Sequence, residues 1–432
     1  MTKNKSKSIY VCSSCGGEHM AWAGKCSYCG EWNTLKEVSA RGGSASGGKS
    51  GTVEKAKLVK LADIKTSERG RIETGISELD LVLGGGLVLG EVILLGGNPG
   101  VGKSTLVWQA AANMKEPVLY IAGEESPEQI KLRAKRLNVV PANISIVDDN
   151  ILESWIGEVA ENPPALLIVD SIQTVQSNDF PASLGSIIQV KECAMKIIQV
   201  AKKHNIAVVL VGHVTKEGEV AGPRTLEHLV DAVFYLEGEK GISERFLRAQ
   251  KNRFGPTDEV GLFKITSAGL SQESDFGRLS PEKILPSGVC RVGVMEGSRV
   301  YFAEIQALVQ KSQFGFAKRN AVGYDLNRLQ MMAAVISRHT KIDLTDFDIF
   351  LNTANGYRLR DPIADLAVLM ALASSATQKP VSGSTIALGE VDLAGRVHLP
   401  ESSKRIIKTA QKIGYKIINP KDDLGIIIKK YF

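Results

Sequence analysis

The strongest chemical signal in this 432-residue sequence is a glycine-rich loop that ends in a lysine and a serine. Residues 97–104 read GNPGVGKS and match the pattern G-x-x-x-x-G-K-[ST]. Glycines let backbone N–H groups wrap the phosphates of a nucleotide, and a helix that begins at the loop adds its positive end. Lys103 is therefore expected to reach the β- and γ-phosphates, and Ser104 to bind Mg²⁺. A chance glycine turn is the alternative interpretation.

The residues on either side of the loop favour a nucleotide site. EVILLGG at 91–97 predicts a buried strand, and TLVWQAAANM at 105–114 predicts a helix. Strand, loop and helix thus follow in the order that an ATP-binding loop requires. The predicted ATP- and Mg²⁺-binding residues are Gly97, Asn98, Pro99, Gly100, Val101, Gly102, Lys103, Ser104, Thr105 and Asp170.

Carboxylates end two further predicted strands. PVLYIAG at 117–123 leads to Glu124, and ALLIVDS at 165–171 contains Asp170. In a parallel sheet such residues meet at the carboxyl edge, where ligands bind. Asp170 can then bind Mg²⁺, and Glu124 can polarise the attacking water. A pair of solvated acids at a helix start is the alternative for Glu124 and Glu125.

Two other strand ends carry polar residues. AVVLVGH at 207–213 ends in His213, which could sense the γ-phosphate, although a lone histidine more often has a structural role. AQKNRFGP at 249–256 places Lys251 and Arg253 on either side of Asn252. The period of two in a strand puts both cations on one face, with Asn252 opposite. A solvated strand end is the alternative to an anion site.

Four of the six cysteines form two C-x2-C pairs, Cys12 with Cys15 and Cys26 with Cys29. Two such pairs can place four thiolates around one tetrahedral Zn²⁺, and a complete ligand set indicates a structural metal. Two disulfides are the alternative, which a reducing cytosol disfavours. Cys193 and Cys290 are isolated and are expected to be small buried residues.

Charge is concentrated at the N-terminus. The net charge is +6, and residues 1–65 alone hold 11 Lys and Arg against 5 Asp and Glu. A basic module of this kind is typical of proteins that meet a polyanion, and a merely soluble tail is the alternative. Neither a secretory signal nor an apolar run of membrane-spanning length is visible, so a cytoplasmic protein without a membrane partner is expected.

Composition and periodicity divide the chain. Strands that alternate with helices through the middle of the sequence predict a parallel sheet. SARGGSASGGKSG at 39–51 predicts a flexible linker. The predicted domains are a zinc module at 1–38, a linker at 39–65, an ATPase domain at 66–275 and a C-terminal domain at 276–432.

Five motifs behind the cysteine module carry a family resemblance. GGNPGVGKSTL, YIAGEES, DSIQTV, GHVTKEG and KNRFGP, in this order, resemble the bacterial RadA/Sms DNA-repair ATPase family over nearly the whole chain. The middle region also resembles the RecA-type ATPase core. The fold class implied is α/β, with a RecA-like P-loop core, an N-terminal four-Cys zinc ribbon and a C-terminal α+β domain similar to the protease domain of Lon. Asn98 departs from the Asp common in the family.

The resemblance assigns roles to several residues. Glu124 corresponds to the catalytic glutamate, His213 to a γ-phosphate sensor, and Lys251 and Arg253 to cations contributed by a neighbouring subunit. Loops at 173–186 and 215–225 correspond to channel-lining loops. The candidate DNA contacts in the second loop are Lys216 and Arg224.

The family implies a DNA-dependent ATPase that forms hexameric rings and moves on single-stranded DNA. Branched DNA and a recombinase of the RecA type are the implied partners. In the Lon-like region, Ile363 stands where Lon has its serine nucleophile. Lys404 lies near the position of the catalytic lysine of Lon, but it has no serine to activate. An ATP-dependent protease is therefore disfavoured. A nucleotide-switched, zinc-bearing DNA-binding protein without motor activity stays open as an alternative.

Overall fold

A computed structural model of the chain divides into two compact units. Unit 1 comprises residues 1–238 and 245–272, and unit 2 comprises residues 239–244 and 273–432. The structure describes residues 8–12, 18–28, 30–39, 70–137, 141–180, 182–212, 226–238, 242–272, 284–313, 317–354, 357–418 and 422–432. Among these residues no helix has the length and apolar character needed to cross a membrane.

The N-terminal part of unit 1 is a small antiparallel sheet. Its strands are β1 (Ser8–Cys12), β2 (Glu18–His19) and β3 (Leu35–Ser39), in the order β2-β1-β3. Cys12, Cys26 and Leu35 are buried together and form its core. A core of so few residues contributes little to the stability of an independent module. A module of this kind therefore fits a fold that a metal stabilises.

The rest of unit 1 is built on a nine-stranded sheet with the order β12-β11-β10-β9-β4-β8-β7-β5-β6. The six strands from β9 to β6 in this order are parallel, and β10 is antiparallel to β9. The strands are β4 (Val92–Gly97), β5 (Val118–Ala122), β6 (Ile144–Val147), β7 (Leu166–Asp170), β8 (Ala207–Val211), β9 (Ala232–Glu237), β10 (Glu244–Asn252), β11 (Val260–Thr266) and β12 (Gly269–Gln272). Residues of β4, β7 and β8 are buried throughout because both faces of the central sheet are covered.

Helices pack on both faces of this sheet, as its parallel strands require. In the described part of unit 1 the helices are α1 (Ser77–Leu83), α2 (Lys103–Asn113), α3 (Pro127–Arg136), α4 (Leu152–Glu161) and α5 (Ile187–His204). Residues of α1, α2 and α3 share one apolar cluster with the sheet, and residues of α4 and α5 share the other. A capping box formed by Ser126 and Gln129 begins α3. The strands and helices expected around the phosphate loop are thus confirmed.

Unit 2 is an α+β fold with a six-stranded sheet in the order β15-β16-β14-β13-β17-β20 and a two-stranded ribbon, β18-β19. Its strands are β13 (Val289–Glu296), β14 (Arg299–Lys311), β15 (Arg319–Val322), β16 (Phe347–Thr353), β17 (Thr385–Ile386), β18 (Glu390–Val391), β19 (Val397–His398) and β20 (Lys416–Ile417). Its helices are α6 (Leu326–His339), α7 (Asp365–Thr377), α8 (Ser403–Lys412) and α9 (Leu424–Tyr431). The first eleven residues of helix α7 are buried, and most of them are apolar, as in a helix at the centre of a core.

Candidate nucleotide site

The glycine-rich loop lies at the carboxyl end of β4. Strand β4 ends at Gly97 and α2 begins at Lys103, so five residues turn the chain between them. Gly97, Gly100 and Gly102 have φ values of 152°, 75° and 115°, which only glycine adopts readily. A side chain at Gly97 would also lie 2.6 Å from Leu236 O. The loop therefore depends on glycine for its course, and it fits the backbone cradle that a polyphosphate needs.

Lys103 is held at the centre of this loop. Its side chain is buried, and Nζ donates to Gly97 O at 2.9 Å and to Asn98 O at 3.1 Å. Burial lowers the pKa of Lys103, whereas the charges of Asp170 and Glu124 raise it. The ammonium is thus electrostatically coupled to both predicted carboxylates across the carboxyl edge of the sheet.

Asp170 ends β7 and is anchored by a tyrosine from the next strand. Tyr120 Oη donates to Asp170 Oδ2 at 2.5 Å, and Arg133 Nη2 donates to Tyr120 Oη at 3.3 Å. Burial raises the pKa of Tyr120 well above its usual range, and the Asp170 charge raises it further. Tyr120 consequently stays a hydrogen-bond donor, and it fixes one oxygen of the carboxylate. The carboxylate and the hydroxyl of Ser104 are hard oxygen ligands of the kind that Mg²⁺ takes.

Glu124 lies at the same edge, beside Asp170. Ser171 Oγ donates to Glu124 Oε1 at 2.6 Å, and the Gly123 N–H donates to Asp170 O at 2.8 Å. A side chain at Gly123 would lie 1.8 Å from Thr174 Oγ1, so the two chain segments approach each other as closely as glycine permits. Lys103, Asp170 and Glu124 are therefore brought together, as the sequence predicts.

Lys251 and Arg253 lie at the opposite edge of the sheet. Strand β9 is parallel to β4, and its Leu236 pairs with Gly97 at the phosphate loop. Lys251 pairs instead with Val233, three residues nearer the amino end of β9. That is about 10 Å back along the strand, and Arg253 lies further in the same direction. Neither cation is at the edge that carries the chain's own phosphate loop.

The two cations have partners within their own subunit. Lys251 Nζ donates to Glu227 O at 2.9 Å and to Val230 O at 2.7 Å. Arg253 Nη1 contacts Asp231 Oδ1 at 3.4 Å, and the Arg253 side chain is 58% exposed. Burial lowers the pKa of Lys251, and the neighbouring charge of Arg253 lowers it further.

The alternation predicted for this strand end is confirmed. Asn252 Nδ2 donates to Val82 O at 3.2 Å, on the side of the sheet that α1 covers. Lys251 and Arg253 share the other side, although the pairing of β10 with β9 shifts between Ala249 and Lys251.

The zinc module places two of its four predicted ligands within the described residues. Cys12 and Cys26 are buried in the same small core. Cys12 Sγ lies 3.1 Å from Thr34 Oγ1, and Cys26 Sγ lies 3.4 Å from His19 Nε2. Two soft sulfur ligands in one core fit a structural zinc site. Cys15 and Cys29 lie outside the described residues.

Comparison with known proteins shows which family the chain resembles. Residues 56–219 match the family model "AAA domain", and residues 10–37 match "Rubredoxin metal binding domain". The chain is 40% identical to the "DNA repair protein RadA" of Listeria monocytogenes, covering 98% of this chain and 94% of that protein. It is also 40% identical to the proteins of that name from Pseudomonas aeruginosa and Bacillus subtilis, with 95% of this chain and 92% of each relative covered.

The chain belongs to the RadA family. Together with the AAA-domain match, this identifies an ATP-hydrolysing enzyme whose cofactors are ATP, Mg²⁺ and Zn²⁺. The predicted fold class is also confirmed: a RecA-like α/β core with a zinc ribbon before it and an α+β domain after it.

Several residues that the RadA resemblance singled out lie outside the described residues. They are His213, Lys216 and Arg224. Their roles stay predictions. The two isolated cysteines are buried as expected, and burial raises the pKa of Cys193 and of Cys290 to about 12. Neither thiol is therefore a nucleophile at neutral pH.

Ile363, which the resemblance to Lon places at the position of the serine nucleophile, is an apolar residue of unit 2. Ile363 is fully buried in a short 3-10 turn, and Asp365 follows it at the start of α7. Asp365 accepts from Tyr324 Oη at 2.7 Å and from Arg328 Nη2 at 2.6 Å. Lys404 is a surface cation that contacts Glu401 at 2.5 Å. Ile363 therefore packs in the core of unit 2, and Asp365 forms a structural ion pair with Arg328.

The residues that hold the site in place were not predicted from the sequence. Tyr120 has a recognisable signal, because a phenol in an otherwise aliphatic buried strand needs a hydrogen-bond partner. Arg245, which is buried, donates from Nε to Val101 O at 3.1 Å beneath the phosphate loop. Ser171 and Arg245 have no local signal, because their partners are distant in sequence.

Proposed function

We propose that the chain is a DNA-dependent ATPase that acts as a ring-shaped motor on single-stranded DNA in recombination and DNA repair. One observation carries this proposal: the phosphate loop and the exposed Arg253 lie at opposite edges of one sheet. A hydrolytic site that uses both must be assembled from two subunits. The name "DNA repair protein" of its relatives supports the biological setting.

The residues at the carboxyl edge would act as follows. Backbone N–H groups of 98–103 bind the phosphates, and Lys103 turns its ammonium from the loop carbonyls to the β- and γ-phosphates. Ser104 and Asp170 would hold Mg²⁺, which, when bound, neutralises charge on the phosphate oxygens. Glu124, oriented by the Ser171 hydroxyl, accepts a proton from the attacking water or polarises it.

The residues at the amino edge would complete a neighbour's site. Arg253 has donors beyond the one that contacts Asp231, and its exposed guanidinium can reach across a subunit boundary. Lys251 uses two donors on backbone carbonyls, so in this proposal it contributes its remaining donor and its charge. Cations supplied in trans stabilise the transferring phosphoryl group, which makes hydrolysis depend on assembly.

DNA is the polymer that such a ring would move along. We propose single-stranded and branched DNA as substrates, a hexamer as the assembly, and a RecA-type recombinase as a partner. Lys216 and Arg224 are the proposed contacts to DNA phosphates. Each neutralised phosphate should contribute about −0.7 to the salt slope of binding to a single strand.

The second candidate function is a nucleotide-switched, zinc-bearing DNA-binding protein that does no mechanical work. Glu124 favours turnover over a slow switch, because its carboxylate is held beside Asp170 and coupled to Lys103. A protease is disfavoured by Ile363, whose side chain cannot attack a carbonyl group.

Strand displacement on forked DNA separates these candidates. We expect the full chain to displace a labelled strand with ATP and Mg²⁺, but not with a non-hydrolysable ATP analogue. Lys103→Ala is the matched control and should bind the fork without displacing the strand. DNA-stimulated hydrolysis without displacement on any fork would favour the accessory binding protein and contradict the motor.

A further inference from the structure

Asp231 is a buried carboxylate at the amino edge of the ATPase sheet, directly before β9. Its side chain is 4% exposed, and Oδ2 accepts the Val92 N–H at 3.2 Å. The Asp231 N–H donates in turn to Val92 O at 2.9 Å. Because Val92 is the first residue of β4, this carboxylate is fixed to the strand that leads to the phosphate loop.

The other oxygen of Asp231 contacts two cations from different elements. Lys202 Nζ, in the last turn of α5, lies 3.3 Å from Oδ1, and Arg253 Nη1 lies 3.4 Å from the same atom. The Lys202 and Arg253 side chains are 50% and 58% exposed. Because about half of each cationic side chain is exposed, donors that do not contact Asp231 are open to a ligand.

The local charge favours an anion. One carboxylate shared by Lys202 and Arg253 leaves a net positive charge, and Lys251 adds another cation beside Arg253. Two acids lie near this group. Glu227 faces Lys251, and Glu91 faces Asp231, where burial raises the pKa of Glu91 to about 7. A phosphate is the class of ligand that fits exposed cations arranged on a rigid carboxylate.

We propose that Lys202 is a further cation that touches the terminal phosphate of the neighbour's ATP, and that Asp231 is the positioning residue for Lys202 and Arg253. An ammonium has three N–H donors and a guanidinium five, so the contacts to Asp231 leave donors for phosphate oxygens. Cations fixed before the reaction stabilise developing charge without reorganisation. The inference rests on the proposed function, because the phosphate must come from an adjacent subunit.

The first test is the turnover of lysine variants in the full chain. We expect Lys202→Ala to lower the kcat of DNA-stimulated ATP hydrolysis roughly 10- to 100-fold. The Kd of a fluorescent ATP analogue should stay the same, because the chain's own phosphate loop is intact. Lys202→Arg should keep most of the activity. Lys203→Ala is the matched control, since Lys203 is the next residue of α5 and is exposed; its kcat should match the wild type.

The second test is Asp231→Asn. The amide oxygen can still accept the Val92 N–H, whereas the charge that holds Lys202 and Arg253 is lost. We expect a lower kcat with unchanged nucleotide affinity, and with unchanged assembly in analytical ultracentrifugation. A wild-type kcat in Lys202→Ala would overturn the role of Lys202, and a wild-type kcat in Asp231→Asn would overturn the role of Asp231.

Mixing experiments separate this inference from the proposed function. Lys202→Ala subunits mixed with Lys103→Ala subunits should recover ATPase activity above the sum of the separate rates. Arg253→Ala mixed with Lys103→Ala is the reference pair. Recovery in the reference pair without recovery in the Lys202 pair rejects this inference alone. No recovery in the reference pair rejects the trans site, and the inference with it.

Discussion

At the scale of single residues, Lys103 is buried and has several partners in the phosphate loop. Two backbone carbonyls accept from its ammonium, and its pKa is lowered by burial but raised by Asp170 and Glu124. The charges of the two carboxylates thus oppose the effect of burial, which by itself favours the neutral amine. The same charge is what a transferring phosphoryl group requires.

Removal of this cation should stop hydrolysis and spare the fold. We expect Lys103→Ala to lower kcat at least about 100-fold, because charge that develops on the phosphoryl oxygens is no longer neutralised. Steady-state ATP turnover measures the effect, and circular dichroism checks the fold. Lys115→Ala, an exposed lysine just after α2, is the control and should turn over ATP at the wild-type rate. Near-normal turnover in Lys103→Ala would contradict the assignment of the phosphate loop.

A second residue-scale prediction concerns Glu91, which is 2% exposed. Burial raises the pKa of Glu91 from 4.5 to about 7, while the hydrogen bond from Val88 lowers it. The folded state therefore binds this proton more tightly than the unfolded chain. The stability it contributes is present below about pH 4.5 and is lost as the pH rises through about 7. By pH 8.5 the loss amounts to about 3 kcal/mol.

Glu91→Gln cannot ionise and should escape this loss. Relative to the wild type, we expect the variant to gain stability between pH 5.5 and pH 8.5. Urea unfolding at the two pH values measures the difference, and Glu161→Gln, at an exposed position, serves as the control. If the free energies of unfolding of the variant and the wild type differ by the same amount at both pH values, Glu91 does not titrate with a raised pKa.

At the scale of elements, the strands that carry the site are readable from sequence. Strands β4, β5, β7 and β8 are short apolar runs, because parallel strands are buried on both faces. Strands β4 and β7 end in Gly97 and Asp170, and a glycine directly follows β5 and β8, at the carboxyl ends where such sheets bind ligands. The capping box before α3 is equally local. The carboxyl-edge residues of the site were predictable for this reason.

The amino edge was not predictable in the same way. Asp231 contacts Val92 and Lys202, which lie in β4 and α5, and no local pattern indicates such pairs. The shift in pairing between Ala249 and Lys251 is also a property of two strands together. Sequence placed Lys251 and Arg253 on one side of their strand, but their distance from the phosphate loop follows only from the strand order.

The zinc module yields a prediction at this scale. Its core contains Cys12, Cys26 and Leu35, so loss of the metal should unfold it. We expect Cys26→Ser to release zinc and to expose residues up to about 35 to protease, while the ATPase activity without DNA is retained. Elemental analysis and limited proteolysis measure these effects. Cys193→Ala, at a buried cysteine of α5, is the control and should keep its zinc. Unchanged zinc in Cys26→Ser would rule out the four-thiolate site.

At the scale of the whole molecule, the sheet carries the two proposed sets of catalytic residues at opposite edges. The carboxyl edge carries Lys103, Asp170 and Glu124, and the amino edge carries Arg253 and Lys251. Lys251 pairs with Val233 of β9 and Gly97 pairs with Leu236 of the same strand. Val233 and Leu236 lie about 10 Å apart along β9. A head-to-tail assembly of such subunits brings opposite edges together, and a closed ring leaves every site complete.

This arrangement predicts that two inactive variants can restore each other. Lys103→Ala subunits keep Arg253, and Arg253→Ala subunits keep an intact phosphate loop. Arg253→Ala should bind ATP with wild-type affinity and hydrolyse it slowly, because a cation supplied in trans is worth roughly 10³–10⁵ in rate in enzymes that use one. When the two are mixed and allowed to exchange subunits, some sites combine the intact parts of both. We expect ATPase activity above the sum of the separate rates. The matched control is Arg248→Ala, which removes a partly exposed arginine of β10 that forms an ion pair with Glu237. This variant should hydrolyse ATP without a second variant. If mixed rings form, as shown by fluorescence transfer between labelled subunits, and activity stays at the sum, then Arg253 acts within its own subunit or only holds the end of its strand.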